Sequence, residues 1–574
     1  MNTDRENSSN TIKSKKISLI NLGLALAVVL ITWGIVALGF DFFYDLNDDV
    51  LIKDILSGAY TGTPSGYNNQ MMYPISVLIA VMYRMIPSVP WYGVMLMTGL
   101  AISVIIIVYR LLYYSENTWI KLAISVFAVV LVLGIYLDEL TNMTYTVVSA
   151  MLATAACVWV LTDSSLVLSE NIVPIVLCII SFNIRSEMFL LMCPYIAATA
   201  LIKVIFNLCN NGRNNTKQSF CLKTVNIISN NVKDTLQPLI KIAIVILIGI
   251  AFTFIIDTIA YSGSDWREYR RLFDARTDVY DFTGIPEYDT NGDFYESAGI
   301  KREQWELIVD YNYALDDSIT SDTLEEIASY VRSGEAKDAN GNPYTRANVG
   351  IRTAAGQYVR SLVDFTEDAM YMPLRLIVTL LFIALVILSI LSRRGDTLVG
   401  VAVFLVCRSV PWIYYYHSGR PVERLSHPML FIEVAILLTM LCKARIGQLD
   451  RGLMYLTCIL ILVLCVVNLK TEWGDMARQM REREEINLSY EKLCEHTSTT
   501  EGYYLVDVYS TVDYTEKVFA PQADKSNQQL AGGWMAGSPL DDKKERDYEN
   551  AYPDSSYFFA VYDRNRWNYS EIAR

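Results

Sequence analysis

Long apolar stretches recur along the chain and alternate with short polar connections. A hydrocarbon core about 30 Å thick requires about 20 mostly apolar residues in a helix. The stretches that approach or reach this length are Ile17–Phe40, Trp91–Leu112, Trp119–Leu137, Tyr145–Leu161, Ile172–Ile184, Met188–Phe206, Leu239–Ala260, Leu374–Leu391, Leu398–Tyr416, Met429–Cys442 and Leu453–Asn468. The shorter apolar segment Tyr73–Pro87 contains Arg84 and is predicted to lie at the membrane surface. The pattern predicts a predominantly α-helical, polytopic membrane bundle of about eleven spans.

Two long polar segments interrupt this pattern. The elements predicted in them are amphipathic helices over Lys301–Tyr313 and Thr323–Arg332, a charged helix over Met476–Cys494, and strands over Tyr503–Tyr509 and Tyr557–Tyr562. The predicted domains are an N-terminal membrane module (1–260, with a first external loop over 41–90), a helical loop domain (261–370), the last four spans (371–468) and a small α/β domain (469–574).

Composition and charge agree with this division. Apolar residues make up 52% of the 574 residues and charged residues only 19%, yet the net charge is −13. The segment Tyr261–Met370 holds 22 acidic and 11 basic residues, and Lys470–Arg574 holds 20 acidic and 13 basic residues. The negative charge therefore belongs to the polar segments. This composition excludes a disordered chain, a collagen-like repeat and a basic nucleic-acid-binding protein.

Basic residues in the short connections predict the orientation. Lys13, Lys15 and Lys16 precede the first span, which places the N-terminus in the cytoplasm by the positive-inside rule. With eleven spans the even-numbered connections are internal, and most of them carry Lys or Arg. We therefore expect a multi-pass protein of the plasma (inner) membrane, with both acidic segments and the C-terminus on the extracytoplasmic side.

An acidic motif follows the first span directly. Asn47-Asp48-Asp49 begins a short segment that ends at Gly58. Asn47 is predicted to cap a helix with Asp48 and Asp49 in its first turn, where carboxylates stabilise the helix dipole. Helix stability alone explains this pattern. At the level of the lipid headgroups, however, a carboxylate can also act as a general base toward a substrate at the membrane surface.

Two further polar groups lie at predicted external ends of spans. Asp138 and Glu139 occupy the short loop after the third span, where acidic residues also serve solubility. Arg185 and Glu187 interrupt apolar sequence at the end of the fifth span. An arginine here either extends to the interface as an anchor or binds an anion.

The loop between the ninth and tenth predicted spans is unusually basic for an external loop. It contains His417, Arg420, Arg424 and His427 within eleven residues. Arginine binds phosphate oxygens bidentately, and histidine can donate to a leaving phosphate. The loop is therefore predicted to bind phosphate, with a headgroup anchor as the alternative.

These features together resemble the GT-C superfamily of integral-membrane glycosyltransferases. The similar features are the acidic motif Asn47-Asp48-Asp49 after an N-in first span, the run from Tyr73-Pro74 through Trp91, an acidic residue in the next external loop (Asp138 or Glu139) and an Arg-containing loop near the last spans. The resemblance covers residues 17–206 in order and 371–468 more loosely. Many members carry Asp-Glu where this chain has Asp48-Asp49, which leaves open which of the two is catalytic.

The resemblance implies transfer of a sugar from a polyprenyl-phosphate or polyprenyl-diphosphate donor on the extracytoplasmic face. In an inverting displacement, Asp48 would deprotonate the acceptor hydroxyl. Asp49, Asp138 or Glu139 would orient the acceptor or hold a divalent cation, Mg²⁺ or Mn²⁺, where one is used. The groups that would bind and neutralise the departing phosphate are Arg185 (beside Glu187), Arg420 and Arg424, with His417 or His427. The implied partners are the lipid-linked donor, a glycan or lipid acceptor and membrane lipid.

Two alternatives remain at this stage. One is a polymerase or ligase of a lipid-linked surface polysaccharide, which would use similar residues. The other is a non-enzymatic translocator of lipid-linked sugars or an envelope scaffold. A translocator is expected to place charged residues deep within its spans. The sequence places the candidate polar groups at one face, with few charges in the middle of the spans, and this favours the enzyme.

Overall fold

The computed structural model is mostly helical and describes residues 2–163, 167–214, 223–344, 349–363, 372–419, 422–443 and 448–572. The α-helices are α1 (Asn2–Gly39), α2 (Asn47–Ser57), α3 (Tyr73–Met85), α4 (Trp91–Leu112), α5 (Thr118–Ile135), α6 (Leu137–Thr141), α7 (Tyr145–Thr162), α8 (Ile172–Ile184), α9 (Ser186–Asn214), α10 (Lys223–Ala260), α11 (Ser264–Thr277), α12 (Gly292–Ser297), α13 (Arg302–Val309), α14 (Ser321–Ser333), α15 (Ile351–Ser361), α16 (Met372–Leu391), α17 (Gly395–His417), α18 (Glu423–Lys443), α19 (Gln448–Thr499) and α20 (Pro539–Ala551). The strands are β1 (Phe43–Tyr44), β2 (Asn142–Met143), β3 (Tyr503–Val506), β4 (Gln528–Leu530), β5 (Tyr557–Asp563) and β6 (Arg566–Ile572).

Ten helices in the described part of the chain are long and apolar enough to cross a membrane. They are α1, α4, α5, α7, α9, α10, α16, α17, α18 and α19. The predicted polytopic helical membrane protein is confirmed at this level. α7 and α18 form the centre of the bundle, since 89% and 83% of their most apolar windows are buried, against 6% for α10 at the edge. Both central helices are mostly apolar around their circumference, as expected of helices surrounded by others, and α18 also carries the buried Glu433.

One predicted span, the fifth, is not among these ten helices. It corresponds to the short helix α8. Its 13 residues extend about 20 Å, less than the 30 Å of a hydrocarbon core. α8 nevertheless packs along α7. Near the start of α7, the hydroxyl of Ser149 lies within hydrogen-bond distance of the carbonyl oxygens of Ser181 (2.9 Å) and Arg185 (3.2 Å), at the end of α8. The two helices are therefore antiparallel. We call the end of the bundle where α7 begins and α8 ends the site end.

The last span and the predicted charged helix are one element. α19 has 52 residues and is therefore about 78 Å long, more than twice the thickness of a hydrocarbon core. It packs on α5 and α16 in the bundle and continues to β6 beyond it. The predicted boundary at residue 468 thus falls inside a continuous helix, because nothing between 468 and 476 breaks helical geometry.

The two polar segments fold next to each other. Residues 261–363, the loop domain, contain α11 to α15. Residues 500–572, the C-terminal domain, contain the sheet β4-β3-β5-β6, in which β3 pairs in parallel with β4 and β5 while β6 is antiparallel to β5. The predicted strands are confirmed as β3 and β5 with shifted ends. Ala536 of the C-terminal domain lies in the core of the loop domain, so the two domains share buried surface.

Candidate active site

A short strand pairing joins the two acidic loops. β1 and β2 are parallel, with Phe43 opposite Asn142 and Tyr44 opposite Met143. On its other side β1 meets the C-terminal domain, where Val518 N–H donates to the carbonyl of Phe42 (2.8 Å). The loop after α1 is thus held between the loop after α5 and the C-terminal domain. This pairing makes neighbours of the two loops that carry the acidic residues, which lie about 90 residues apart in the chain.

The start of α2 differs from the prediction in one detail. Leu46, not Asn47, is the N-cap residue, and no side chain caps the helix. Asn47 is already the first helical residue because Leu46 has the extended backbone that a cap position requires. The predicted Asn47 cap is therefore wrong, whereas Asp48 and Asp49 do lie in the first turn.

Asp48 and Asp49 point to different surroundings, since consecutive helical side chains diverge by about 100°. Asp49 is fully buried. Its Oδ1 accepts hydrogen bonds from the hydroxyl of Tyr92 (2.6 Å) and from the N–H of Tyr145 (3.2 Å). Burial raises the pKa of Asp49 to about 7, although these hydrogen bonds lower it. Asp48 is half-buried and accepts a hydrogen bond from the indole N–H of Trp534 (2.9 Å).

Asp48 faces a large cavity. This cavity, of about 680 Å³, lies between α2, the loop domain and the C-terminal domain, and Asp48, Arg424, Arg276, Tyr311 and Trp534 are among its lining residues. Its volume is within the range of ligand pockets. Asp48 is the accessible carboxylate of the pair, and Asp49 lies behind it in the protein interior.

The second acidic pair is also at the site end. Glu139 is buried, and its Oε1 lies 2.6 Å from Nδ1 of His427 at the start of α18. Asp138 accepts a hydrogen bond from the side-chain amide of Asn142 (2.6 Å). Burial and the charges of Glu139 and Asp45 raise the pKa of Asp138 well above its usual range. Both carboxylates therefore have partners in the protein, and they line a small crevice with His427 rather than the large cavity.

Asp45 and Arg483 belong to the same charged group, and sequence reasoning missed both. Burial raises the pKa of Asp45 to about 6, while the nearby guanidinium groups of Arg483 and Arg424 lower it. Arg483 also donates to the side-chain oxygen of Asn142 (2.6 Å). Asp45 was detectable as a third carboxylate beside the Asp48-Asp49 motif. Arg483 carried no signal because it lies in a helix rich in charges of both signs.

Arg185 is held at the junction of α8 and α9. Its Nη1 donates to the hydroxyl of Tyr145 (2.7 Å) and to the side-chain oxygen of Gln70, and its Nε lies 3.1 Å from Glu187. Burial lowers the pKa of Arg185, but Tyr145, Glu187, Asp48 and Asp49 raise it by more. Arg185 is thus a fixed cation close to the start of α2. Glu187 is exposed and acts as its partner.

The basic residues of the loop before α18 lie in different surroundings in the structure. Arg424 lines the large cavity with Asp48. His427 pairs with Glu139. His417 does neither: its Nδ1 lies 2.6 Å from the carbonyl of Val349, next to the loop domain. Arg420 lies outside the described residues. Three of the four predicted side chains are therefore described. Two of these, Arg424 and His427, lie with carboxylates at the site end.

Metal ligation was left open by the sequence. Across the described ranges, no three His, Cys, Asp or Glu side chains are grouped as ligands of a metal ion. Asp48, Asp138 and Glu139 instead have nitrogen donors as partners.

The bundle interior contains an ion pair, although the sequence predicted few charges in the middle of the spans. Nη2 of Arg408 lies 2.8 Å from Oε2 of Glu433, and Glu433 also accepts from the hydroxyl of Tyr195 (2.8 Å) and the indole of Trp412 (2.7 Å). Arg408 and Glu433 lie within α17 and α18, several turns from the site end. Charge is therefore present in the middle of the spans, in a paired and hydrogen-bonded form.

Comparison of the chain with protein-family models, with curated proteins and with solved structures finds no match. The arrangement of the site is therefore interpreted from its own geometry and chemistry.

Proposed function

We propose that the protein is a membrane glycosyltransferase that moves a sugar from a polyprenyl-phosphate donor to a cell-envelope acceptor on the extracytoplasmic face. The observation that carries the proposal is the presence of Asp48 and Arg424 in one cavity at the site end. A base and a phosphate-binding cation are the two groups that this reaction needs. Asp49, Arg185 and the Glu139–His427 pair surround the same end of the bundle.

The proposed reaction uses these groups. The acceptor oxygen attacks the anomeric carbon of the donor sugar, and the bond from that carbon to the phosphate oxygen breaks. Asp48 takes the proton of the acceptor hydroxyl, and the polyprenyl phosphate leaves with the bonding electrons. Arg424 stabilises the negative charge that develops on the phosphate, as does the positive end of α2. Asp49, which is buried, positions α2 and does not contact substrate.

An apolar groove supports a lipid donor. A cavity of about 370 Å³ lies among α16, α17 and α18 and is lined mainly by apolar side chains such as Phe382, Leu405 and Leu430, with Arg375 toward the site end. α16 also begins beside the Glu139–His427 crevice, where Leu374 is a lining residue. A prenyl chain in this groove would place its phosphate at the site end, at the level of the lipid headgroups.

The orientation is part of the proposal. Basic residues flank the ends of the bundle opposite the site end, and the acidic loop and C-terminal domains lie beyond the site end. By the positive-inside rule the site then faces the extracytoplasmic side of the plasma membrane. The antiparallel packing of α8 on α7 is consistent with counting α8 as the eleventh crossing, which puts the C-terminus outside.

The test replaces Asp48. Purified protein is incubated with a set of radiolabelled polyprenyl-phosphate sugars and a membrane glycan extract, with Mg²⁺, with Mn²⁺ and with a chelator, and product formation is followed by chromatography. Asp48→Asn is expected to reduce transfer by about 10²- to 10⁴-fold, the usual contribution of a general base. Asp41→Asn is the matched control, since Asp41 lies in the same loop with a 59% exposed side chain paired to Lys517. Equal transfer by wild type and Asp48→Asn would reject Asp48 as the base.

Product analysis separates transfer of one sugar from polymerisation or ligation. A single added sugar supports the proposal, and chain extension supports a polysaccharide polymerase or ligase.

The Arg408–Glu433 pair favours a second candidate, a translocator of lipid-linked sugars, because Arg408 lines the apolar groove at mid-bundle depth. Reconstituted vesicles with a fluorescent polyprenyl phosphate distinguish the two. A translocator moves the lipid across the bilayer and keeps doing so with Asp48→Asn. A transferase does not move it.

A further inference from the structure

The large cavity extends well beyond Asp48, and several aromatic side chains line it. Besides Tyr60 and Tyr490, six rings line this part of it: Tyr280, Tyr311, Tyr344, Tyr509, Tyr514 and Trp534. They come from the loop domain and from the C-terminal domain, so the wall forms only where the two domains meet. Flat rings with a polar edge bind ligands that carry both apolar faces and hydroxyl groups. The C–H faces of pyranose rings meet this description.

The rings are held in place by the domain interface. Tyr311 has a left-handed backbone (φ 63°), which a bulky residue adopts only when its surroundings impose it. Nε of Arg276 donates to its hydroxyl (2.6 Å), and the ring of Tyr280 lies 4.1 Å from its ring, centre to centre. A Cβ at Gly532 would lie 1.8 Å from the carbonyl oxygen of Tyr311, so only glycine permits this approach.

Hydrogen bonds across the interface fix the same wall. The side chain of Asn312 donates to Asp507 (2.6 Å), and the hydroxyl of Tyr313 donates to the carbonyl of Gly533 (2.6 Å). The hydroxyl of Tyr269 donates to the carbonyl of Trp534 (2.5 Å), the residue whose indole contacts Asp48. The aromatic wall and the candidate base are therefore joined by one set of hydrogen bonds.

The charge of the cavity selects the ligand class. Its charged lining residues in the described chain, besides the Asp54–Lys525 ion pair, are Asp48, Asp281, Asp513, Arg276 and Arg424. Three carboxylates and two guanidinium groups nearly cancel, whereas the surrounding polar segments are strongly acidic. A polyanion would meet repulsion from these domains without a compensating basic surface. A saccharide without net charge meets no such penalty.

We infer that this aromatic cleft binds a neutral oligosaccharide, and that the bound chain presents a hydroxyl group to Asp48 as the acceptor. Saccharide binding stands on the cleft alone, whereas the role as acceptor rests on the proposed transferase function. The acceptor would then be an uncharged glycan rather than a lipid or a charged glycan.

The experiment measures binding of trisaccharides to the purified full-length protein by titration calorimetry. The probes are cellotriose, maltotriose, mannotriose and triacetylchitotriose, with trigalacturonic acid as the charged comparison. At least one neutral probe is expected to bind, and trigalacturonic acid at least about tenfold more weakly.

Tyr509→Ala is the test variant, since Tyr509 lines the cleft and is 55% exposed, so its removal leaves no internal cavity. Tyr552→Ala is the control, because Tyr552 is 49% exposed and is not among the residues that line the cleft.

Tyr509→Ala is expected to weaken binding by about five- to tenfold, the contribution of one stacked ring. Tyr509→Phe should restore it, and Tyr552→Ala should bind as the wild type does. Failure of every neutral probe, tighter binding of trigalacturonic acid, or equal effects of the two alanine variants would overturn the inference. If saccharide binds but no sugar is transferred from any donor, the transferase proposal fails while the cleft assignment stands.

Discussion

Replacing Asp49 by asparagine tests the interior of the site end. Asp49 is fully buried, and burial moves its pKa from 3.8 to about 7. Between these two pH values the folded protein holds a proton that the unfolded chain has released. The free energy of unfolding therefore falls as the pH rises from about 4 to about 7, and the loss is complete above pH 7.

The size of this effect follows from the shift. About three pKa units correspond to about 4 kcal/mol at high pH, and roughly 1.5 kcal/mol of that is already lost at pH 5. The fold does not need a charge at this position, since the amide oxygen of an asparagine can accept the same hydrogen bonds from Tyr92 and from the N–H of Tyr145. The amide nitrogen can donate to the hydroxyl of Thr144, which lies beside the carboxylate of Asp49.

Asp49→Asn is therefore expected to be more stable than the wild type by an amount that grows by about 3 kcal/mol between pH 5 and pH 8. The measurement is thermal unfolding in detergent, followed by intrinsic fluorescence across this pH range. Asp41→Asn, with its exposed side chain, is the control and should show no such growth. A constant difference between Asp49→Asn and wild type across the range would refute a buried, titrating carboxylate at this position.

Two further predictions concern buried charges elsewhere. Glu516 forms ion pairs with Lys53 and with Lys525 (2.7 Å) where the C-terminal domain meets α2. Glu516→Gln should lower the free energy of unfolding by about 3 kcal/mol and make the C-terminal domain more sensitive to protease. Protease resistance equal to that of the wild type would contradict this. Arg408→Met should destabilise the bundle by about 3 kcal/mol because it leaves Glu433 buried and unpaired, whereas adding Glu433→Met should recover most of the loss. Stability is measured by unfolding in detergent. If the Arg408→Met/Glu433→Met double variant were as unstable as Arg408→Met alone, the loss would not come from leaving Glu433 unpaired.

The bundle was largely predictable from the sequence because membrane spans carry a strong local signal. Apolar length alone identifies ten of the helices, and β-branched and aromatic runs identify β3 and β5. Helix ends were less predictable. The Asn47 cap failed because Leu46 takes the cap position. The change from apolar to polar sequence near residue 468 does not end a helix, because α19 continues across it.

The candidate site was predictable only in outline. Asp48 and Asp49 are adjacent and chemically alike, and their sequence does not distinguish a cavity-lining carboxylate from a buried one. His417 and His427 flank one loop, yet only His427 meets Glu139. Arg408 and Glu433 sit on two different spans, so neither span by itself shows that the other supplies the partner.

The sequence by itself determined that this chain is a helical membrane protein with acidic polar domains, since hydrophobic length and net charge are sums over local residues. Tertiary structure decided which charged groups share a cavity. The pairing of β1 with β2, the contact of Trp534 with Asp48 and the aromatic wall shared by two domains join residues far apart in the chain. Such contacts depend on packing and burial, which set the accessibility and the pKa of each carboxylate, and no local pattern encodes them.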